Sequence, residues 1–399
     1  MYVDGKLNPS AGEENRRQTL CVAQVACDER SPITELGNAL GAHDFAQICL
    51  FISPQADFDA LTAEAARRFA PATVLACTTA GEIGSAGYEE DQIIAIGFPR
   101  DRFATAALLV APLDDLNHQG EVDQVIRARL KLAGASPQME NEFAFLMVDG
   151  MSMREDELTS MLSSGLGGVP LFGGSAGDGT QFQSTRLSLN GVTYSNAAIL
   201  SLIRTTCPVK VFSLDHLAPT EMRMVVTEAD PSRRVVRRIN AEPAAAEYAR
   251  MLGKDPNQLD QFTFAAHPVV VRLGDRHHVR AIQQVTPEGE LVFFSAIDEG
   301  MVLTLAEPQH LAEHLDQGLT QIAGGDQPDM VLACDCILRR LEAGQKQMSR
   351  DVSEVLKKHN VTGFGTYGEQ IGALHVNHTM TGVALYPPTS VPLTKVPPE

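Results

Sequence analysis

The sequence predicts an α/β fold in which a duplicated α/β N-terminal domain is packed on a mixed α+β C-terminal domain. Three observations carry this prediction. Strand-like runs alternate with amphipathic helices through the first half, one strand-and-glycine segment occurs twice, and strands and hairpins dominate from about Pro208 onward. A length of 399 residues exceeds one ordinary core, and no disordered linker interrupts the chain. We therefore expect two domains that pack together, at 20–206 and 207–386.

The repeated segment is the clearest internal signal. Residues 75–82 read LACTTAGE and residues 169–178 read VPLFGGSAGD, each a buried strand that runs into a glycine turn. The two copies are 96 residues apart (79 to 175), and the same offset aligns residues 47–53 with residues 143–149 without a gap. Two separate strand-like runs keep register across this offset, which indicates a duplicated α/β unit.

Glycine turns of this kind have a physical use, because glycine permits positive φ and lets several N–H groups converge on an anion or a carboxylate. The turns are therefore a candidate ligand floor, with Thr79, Gly81, Gly173, Gly174, Ser175 and Gly177 as the candidate binding residues. The alternative is that the glycines only form tight corners. Neither copy is a Walker A or a dinucleotide fingerprint, so nucleotide binding is not indicated.

The N-terminal domain follows from local signals in chain order. Ser31-Pro32 is an N-cap followed by the first helical residue, and Phe58, Leu61 and Ala65 have helical spacing. Asn190-Gly191 predicts a hairpin with a type I′ turn. We predict strands at 20–26, 46–53, 72–77, 91–98, 103–111, 142–149 and 197–203, and helices at 31–42, 57–68, 121–133 and 154–165.

The C-terminal domain is predicted from alternation and from turn residues. Pro287-Glu-Gly289 reads as a turn, and Leu311, Leu315 and Leu319 share one helix face. We predict strands at 235–240, 263–272, 278–285, 291–296, 329–335, 360–366 and 379–386, and helices at 243–251, 307–322 and 346–358. The ends of the chain, 1–19 and 387–399, are predicted to be a disordered and a mobile tail.

Composition excludes several classes of function. A formal charge of −18 and a pI near 5.0 argue against a nucleic-acid partner, which would require clustered Lys and Arg. No run approaches the roughly 18 apolar residues of a membrane span, and the N-terminus lacks a signal peptide. Seven cysteines scattered through strand-like runs fit a reducing compartment. We expect a cytoplasmic protein without a membrane partner.

Two motifs raise enzymatic alternatives. His310-Leu-Ala-Glu-His314 matches the H-x-x-E-H pattern of inverted zinc peptidases, although a third zinc ligand is not identifiable. Residues 173–177 spell G-x-S-x-G around Ser175, which a serine hydrolase would combine with residues such as Asp298 and His375. The first copy has Thr79 at the equivalent position, which favours a structural or binding hydroxyl over a nucleophile.

Two further segments are rich in polar groups for their apolar surroundings. Residues 262–271 place His267 before a β-branched run, and residues 363–379 contain Tyr367, Glu369, His375 and Asn377. A lone histidine in an apolar run is most often a hydrogen-bonded core residue.

At these residues the chain resembles the FIST family, a two-part bacterial sensory module, over about residues 20–386. The resemblance is carried by segments 77–82, 172–178, 239–243, 297–300, 363–370 and 377–379, together with the Asn190-Gly191 hairpin. This chain departs from the commonest family form at one position, with His378 in place of Gln.

The resemblance implies a non-enzymatic sensor of small ligands in signal transduction. One branch of the family is similar to haem proteins that sense nitric oxide and regulate a partner histidine kinase. That branch implies non-covalent haem b, with His267 as the first candidate axial metal ligand and His375 as the second. The alternative within the family is a sensor of amino acids or other small carboxylates, with Tyr367, Glu369 and Asn377 added to the two glycine turns as binding residues. A homodimer is compatible with both readings.

Overall fold

The structure, a computed structural model, describes residues 19–273 and 276–388. The tails predicted at 1–19 and 387–399 fall outside these ranges, apart from three residues at their inner ends. The described residues form three six-stranded sheets and one eight-stranded sheet with helices packed against them, which confirms the α/β class. Within these ranges no helix is long and apolar enough to cross a membrane.

Each of the two helices in the first repeat begins directly after an N-cap residue. Ser31 precedes the N1 proline of the first helix, and the Asp57 side chain accepts a hydrogen bond from Ala60 N (3.2 Å) at the second. The elements are β1 (Cys21–Ala26), α1 (Pro32–Leu40), β2 (Phe45–Ile52), α2 (Phe58–Arg68), β3 (Thr73–Thr78), β4 (Glu82–Gly84), β5 (Gly87–Glu89) and β6 (Gln92–Pro99).

The second repeat has the same order of elements. Strands β2 and β8 begin at residues 45 and 141 and end at 52 and 148, so the offset of 96 holds over the whole strand. Asn190 and Gly191 have φ of 51° and 80°, which confirms the predicted tight hairpin. The elements are β7 (Phe103–Val110), α3 (His118–Ala135), β8 (Asn141–Val148), α4 (Glu155–Leu166), β9 (Leu171–Ser175), β10 (Leu187–Leu189), β11 (Val192–Tyr194) and β12 (Ala198–Thr205).

After β13 (Val209–Asp215) the chain leaves the repeats and forms a separate sheet, which we call the insertion (residues 217–308). Its first and last residues, Leu217 and Pro308, are paired with each other. The elements are β14 (Leu217–Asp230), β15 (Val235–Ile239), β16 (Glu242–Pro243), α5 (Ala244–Leu252), α6 (Gln261–Ala266), β17 (Val269–Leu273), β18 (Arg276–Arg280), β19 (Ile282–Val285), β20 (Leu291–Phe293) and β21 (Val302–Pro308).

The chain then completes a third repeat that the sequence analysis did not detect. It continues from β13 with α7 (Leu311–Ala323), β22 (Met330–Cys336), α8 (Ile337–Gln345), α9 (Ser349–Lys358), β23 (Val361–Thr366), β24 (Glu369–Ile371), β25 (Leu374–Val376) and β26 (Thr379–Leu385). In each repeat a parallel pair, β2–β3, β8–β9 or β22–β23, lies at the centre of the sheet. The duplication in the N-terminal half is therefore part of a triplication.

The short hairpin of each repeat forms the edge of the sheet of a neighbouring repeat. The strand orders are β1-β6-β2-β3-β10-β11, β7-β12-β8-β9-β24-β25 and β13-β26-β22-β23-β4-β5. The first sheet thus ends in the hairpin of the second repeat, the second in that of the third, and the third in that of the first. This exchange closes the three repeats into a ring.

The three sheets share one apolar core. Phe51, Phe145 and Phe364 come one from each repeat and are fully buried, and the ring centroids of Phe51 and Phe364 are 4.4 Å apart. The helices cover the outer faces of the sheets with separate apolar clusters. Both faces of the central strands are therefore buried, which explains their continuous apolar sequences.

Two predictions in the second half are wrong in detail, and one helix there was not predicted. The strand predicted at 263–272 is helix α6 followed by β17, because the Asp260 side chain accepts a hydrogen bond from Thr263 N (2.8 Å) and caps a helix there. The helix predicted at 307–322 begins at Leu311, since β21 occupies residues 302–308. Helix α8 was not predicted, because its short apolar pattern continues directly from β22.

Candidate functional site

Three turns with one sequence pattern meet at an end of the shared core. Each follows a parallel strand and consists of a hydroxyl residue, one variable residue, glycine and a carboxylate: Thr79–Glu82, Ser175–Asp178 and Thr366–Glu369. They are joined in pairs by the backbone hydrogen bonds Ala80 N to Gly365 O (2.8 Å), Ser175 N to Gly368 O (2.8 Å) and Gly177 N to Thr78 O (3.2 Å). These N–H groups hold the turns together and are occupied by protein carbonyls.

In two of the turns, the hydroxyl of the first residue is hydrogen-bonded to the buried carboxyl group of the last residue. Thr79 Oγ1 donates to Glu82 Oε1 (2.5 Å), and Thr366 Oγ1 donates to Glu369 Oε1. Burial raises the pKa of Glu82 to about 7 and raises the pKa of Glu369 well above its ordinary value. Burial thus favours the neutral form of both carboxyl groups, and Glu82 titrates close to pH 7.

The raised pKa of Glu82 predicts how stability depends on pH. The folded state binds the Glu82 proton more tightly than the unfolded state does. The resulting stabilisation of the folded state is therefore lost as the pH rises from about 4.5 to about 7. The loss amounts to about 3 kcal/mol at most. We expect Glu82→Gln to remove this decline, since an amide can keep the bonds to Thr79 and Gln92 N.

Chemical unfolding at pH 5 and pH 8 measures the effect, with the exposed Glu140→Gln as the matched control. Equal pH dependence in wild type and Glu82→Gln would contradict the prediction.

The third turn organises the loop that follows the second. The Tyr367 hydroxyl donates to the Asp178 carboxylate, and the Tyr367 ring stacks on Phe182 with centroids 4.4 Å apart. Asp178 also accepts hydrogen bonds from the N–H groups of Phe182 (2.8 Å), Gln183 (2.9 Å) and Ser184 (2.8 Å). Tyr367 is buried and therefore positions this loop instead of facing solvent.

A cleft of about 540 Å³ opens beside the ring of turns. Its walls are Ala80 and Gly81 of the first turn, Asp178 of the second turn with residues 179–181 after it, helix α8 of the third repeat, and Phe262 of the insertion. All three repeats and the insertion thus contribute residues to this one cleft. The volume lies within the roughly 300–1,000 Å³ typical of small-molecule pockets, which often occur where domains meet.

Arg340 is the only Lys or Arg among the described residues that line the cleft. Its guanidinium lies against Gly81, where a Cβ would come within 2.4 Å of Nη1, so this turn must be glycine for the arginine to fit. Nη1 donates to Glu82 O (3.2 Å), and Nη2 donates to Glu89 O (2.5 Å) and to Glu90 Oε1 (2.8 Å). Three of its five N–H donors are used, which leaves two.

The cleft also carries negative charge. Glu90 and Asp91 line it, and the Glu90 side chain is 69% exposed. Ile337, Leu341 and Phe262 supply apolar surface. The cleft therefore combines one cation, two exposed acids and an apolar wall, a set that matches a small ligand bearing both charges.

The family models decide the assignment. The FIST N domain matches residues 46–242, and the FIST C domain matches residues 244–372. The chain belongs to the FIST family. FIST domains are sensory domains for small ligands in signal transduction. No curated protein matches the chain.

The boundary between the FIST N and FIST C matches does not coincide with a boundary of the fold. It falls within the insertion, at the turn between β15 and β16. The boundary predicted at residues 206–207 lies between β12 and β13 and stays a prediction. Since the third sheet contains β4 and β5, both cuts divide a continuous sheet.

The glycines predicted as part of the FIST ligand floor have a packing role. A Cβ at Gly173 would come within 2.2 Å of Leu146 O, and one at Gly174 would come within 2.4 Å of the Thr366 side chain. A Cβ at Gly177 would lie 2.8 Å from that of Ala80. Of the two predicted turns, only the first borders the cleft with its glycine, Gly81.

Ser175 is not arranged like the nucleophile of a hydrolase. It is fully buried, and its Oγ accepts a hydrogen bond from Gln370 Nε2 (2.9 Å). Gln370 Nε2 also lies 3.3 Å from His375 Nδ1, so the amide stands between the serine and the histidine. Asp298 is exposed in the insertion and accepts from Glu299 N (2.8 Å).

The H-x-x-E-H segment forms the start of helix α7. His310 is the N-cap residue, with Nδ1 accepting from Glu313 N (3.4 Å). In the ranges the structure covers, no three His, Cys, Asp or Glu side chains converge as a metal site would require. The arrangement around His310 and His314 therefore offers no set of zinc ligands.

Neither predicted haem ligand lines the cleft. His267 is half-buried at the end of α6, and burial, followed by the charges of Lys254 and Lys346, lowers its pKa. His375 is fully buried, and a Cβ at Gly368 would lie 2.3 Å from its Cε1. This packing leaves no room for a porphyrin on that side of the ring, so the surroundings of His375 do not fit a haem.

Sequence reasoning missed the two residues that shape the cleft most directly, Arg340 and Phe262. No periodic signal marked α8, and Phe262 lies just before the strand predicted at 263–272. The third turn was detectable, because Thr366-Tyr-Gly-Glu369 repeats the pattern of the other two. Asn377 is buried, with Nδ2 donating to Tyr367 O (3.3 Å), and so supports the third turn.

Proposed function

We propose that this FIST chain is a sensor of a small zwitterion of the amino-acid class, bound in the cleft between the first glycine turn, α8 and Phe262. The observation that carries the proposal is Arg340, held against Gly81 at the cleft with two N–H donors unused. The unused donors are the N–H of Nε and one N–H of Nη1, and each can donate a charge-assisted hydrogen bond to a carboxylate oxygen.

The remaining charges of the cleft support a ligand that also carries an ammonium group. Glu90 and Asp91 lie on the same cleft as Arg340 and are the exposed acids there. A simple dicarboxylate would meet their repulsion, whereas a zwitterion places its cation beside them. Ile337 and Leu341 offer apolar surface to a side chain of the ligand.

The position of the cleft suggests how binding becomes a signal. Phe262 belongs to the insertion and is 48% exposed, whereas Arg340 and Gly81 belong to the ring of repeats. A ligand that touches both sides favours the arrangement in which they approach, and so shifts the population of that arrangement. A partner protein that reads the insertion surface would then respond to the ligand.

The more specific reading, haem b on His267 with nitric oxide control of a histidine kinase, stays a prediction of the family resemblance. A visible absorption spectrum of the protein supplied with haem tests it directly. A Soret band at one haem per chain that is lost in His267→Ala would establish it against the amino-acid sensor.

The cleft proposal is tested by filling the cleft. Gly344 lines it near the end of α8, and a Cβ there meets only Ser349 Oγ at 4.0 Å. Gly344→Leu should therefore fold normally and occupy ligand space. We expect isothermal titration with the twenty amino acids to detect at least one ligand for wild type and at least tenfold weaker binding for the variant.

The matched control is Gly134→Leu, which also replaces the second-to-last residue of a helix, α3, in open space away from the cleft. It should bind as wild type does. Binding that survives in Gly344→Leu, or no amino acid binding to wild type, would overturn the proposal.

A further inference from the structure

A second polar site lies where the insertion packs on the second repeat, away from the cleft. Strand β18 of the insertion and helix α4 of the second repeat both contact β25. Arg234 Nη2 donates to Glu155 Oε2 (2.7 Å) and to Asp156 Oδ2 (3.2 Å), and Ala296 N also donates to Asp156 Oδ2 (3.1 Å). We call this contact between the insertion and the second sheet the seam. Its two carboxylates, Glu155 and Asp156, both accept from Arg234, and Asp156 also accepts from the backbone.

Arg280 is the second guanidinium of the seam, and it is held differently. Its residue is 7% exposed, its Nη1 donates only to the carbonyl of the adjacent Val279 (3.1 Å), and its Nε has no hydrogen-bond partner. No carboxylate oxygen of the described residues lies within ion-pair distance of it. Burial lowers the pKa of Arg280, as expected for a cation that has lost water without gaining a partner.

A buried hydroxyl accompanies this arginine. Phe294 N donates to Ala281 O (2.9 Å), which continues the pairing of β19 with β20 and brings Ser295 alongside Arg280. Ser295 is fully buried, and its Oγ has no partner in the described part of the chain. Buried polar groups in proteins are nearly always hydrogen-bonded, so two adjacent exceptions indicate a missing group.

His375 lies on β25, the strand that both β18 of the insertion and α4 contact. Its pKa is lowered by burial, and the charges that act on it next are those of Glu155, Asp156, Arg234 and Arg280. Its Nδ1 lies 3.3 Å from the Gln370 amide nitrogen, which donates there, so the ring proton is on Nε2. The ring thereby adds a third donor to those of Arg280 and Ser295.

We propose that Arg280, Ser295 and His375 form a buried site for a small oxyanion, a carboxylate or a phosphate, between the insertion and the hairpin that the third repeat adds to the second sheet. Unpaired donors with a buried cation are complementary to an oxyanion, and a neutral apolar ligand would leave them unsatisfied. Since the site joins two parts of the fold, its occupant stabilises their packing. This site is independent of the zwitterion cleft.

The two arginines of the seam make the test sharp, because both are buried and only Arg234 is paired with carboxylates. Removing an unpartnered buried charge relieves its desolvation, whereas removing a paired one leaves its carboxylates stranded. In buffer without an oxyanion, we expect Arg280→Met to melt at or above the wild-type Tm and Arg234→Met to melt well below it.

Thermal unfolding is then repeated with sodium acetate or sodium phosphate against sodium chloride at equal ionic strength. We expect a saturable rise in Tm for wild type with one of the two probes, which identifies the class of oxyanion. The rise should be lost in Arg280→Met, weakened at least tenfold in midpoint concentration in Ser295→Ala, and retained in Gly344→Leu.

Three outcomes would overturn the site. They are a Tm for Arg280→Met as low as that of Arg234→Met, no saturable rise in wild type with either probe, or a rise that persists in Arg280→Met. Retention in Gly344→Leu keeps this result separate from the cleft proposal.

Discussion

When the chain is divided between residues 206 and 207, we expect neither fragment to fold alone and the two to fold together. The N-terminal fragment contains all of the first sheet, but its second sheet lacks β24 and β25, and its hairpin β4–β5 has no sheet to join. It also loses the stacking of Phe364 on Phe51 in the shared core. A sheet edge and an apolar core face would be exposed, which favours aggregation over folding.

Co-expression of separately tagged fragments tests this expectation. The fragments should co-purify and unfold in one cooperative transition, and each alone should be insoluble or lack such a transition. The control removes the insertion, because its ends at Leu217 and Pro308 are paired and a short linker can replace it while all three sheets stay complete. A cooperatively folded 1–206 fragment would show that the hairpin exchange is dispensable.

The second large effect is expected from the buried charge network beneath α8. Arg339 is 1% exposed and donates to Asp335 Oδ1 (2.7 Å), and its Nη1 lies 3.0 Å from His216 Nδ1. His216 Nε2 lies 2.8 Å from Glu342 Oε2, and Tyr88 donates to Asp335. Arg339 thus connects α8 to His216, the residue just before the insertion.

Replacing Arg339 by Met should lower the free energy of unfolding by about 3–5 kcal/mol, because the Asp335 charge stays buried without its cation. Denaturant unfolding at pH 7 measures the change. Adding Asp335→Asn to Arg339→Met should recover part of the loss, since no uncompensated charge remains.

The exposed pair of Lys358 and Asp316 (2.7 Å) provides the contrast. Lys358→Met should cost about 0–1 kcal/mol, because water screens an exposed pair. If Arg339→Met cost no more than this control, the buried network would have no role in stability.

Much of the fold could be predicted because it depends on local patterns. The continuous apolar runs of β2 and β8, the helical spacing of Phe58, Leu61 and Ala65 and the Asn190-Gly191 turn each depend on neighbouring residues, and the structure has all of them. The two turns at Thr79 and Ser175 were found for the same reason. Their offset of 96 residues is kept because no long segment separates those repeats.

Two turns of the candidate site could be predicted from the sequence, but the cleft beside them could not. Arg340 meets Gly81 only because α8 of the third repeat packs beside the hairpin that the first repeat donates. Phe262 reaches the cleft only because Asp260 caps a helix that competes with the strand pattern of 263–272.

By itself, the sequence determined the strands, most helices and two glycine turns of a FIST chain. The tertiary structure alone decided the third repeat, the hairpin exchange and the residues that meet in the cleft. The physical reason is that pairing between β4 and β23, or β24 and β9, joins segments more than 190 residues apart. Such pairing is selected by the burial of a common core, and no periodicity along the chain records it.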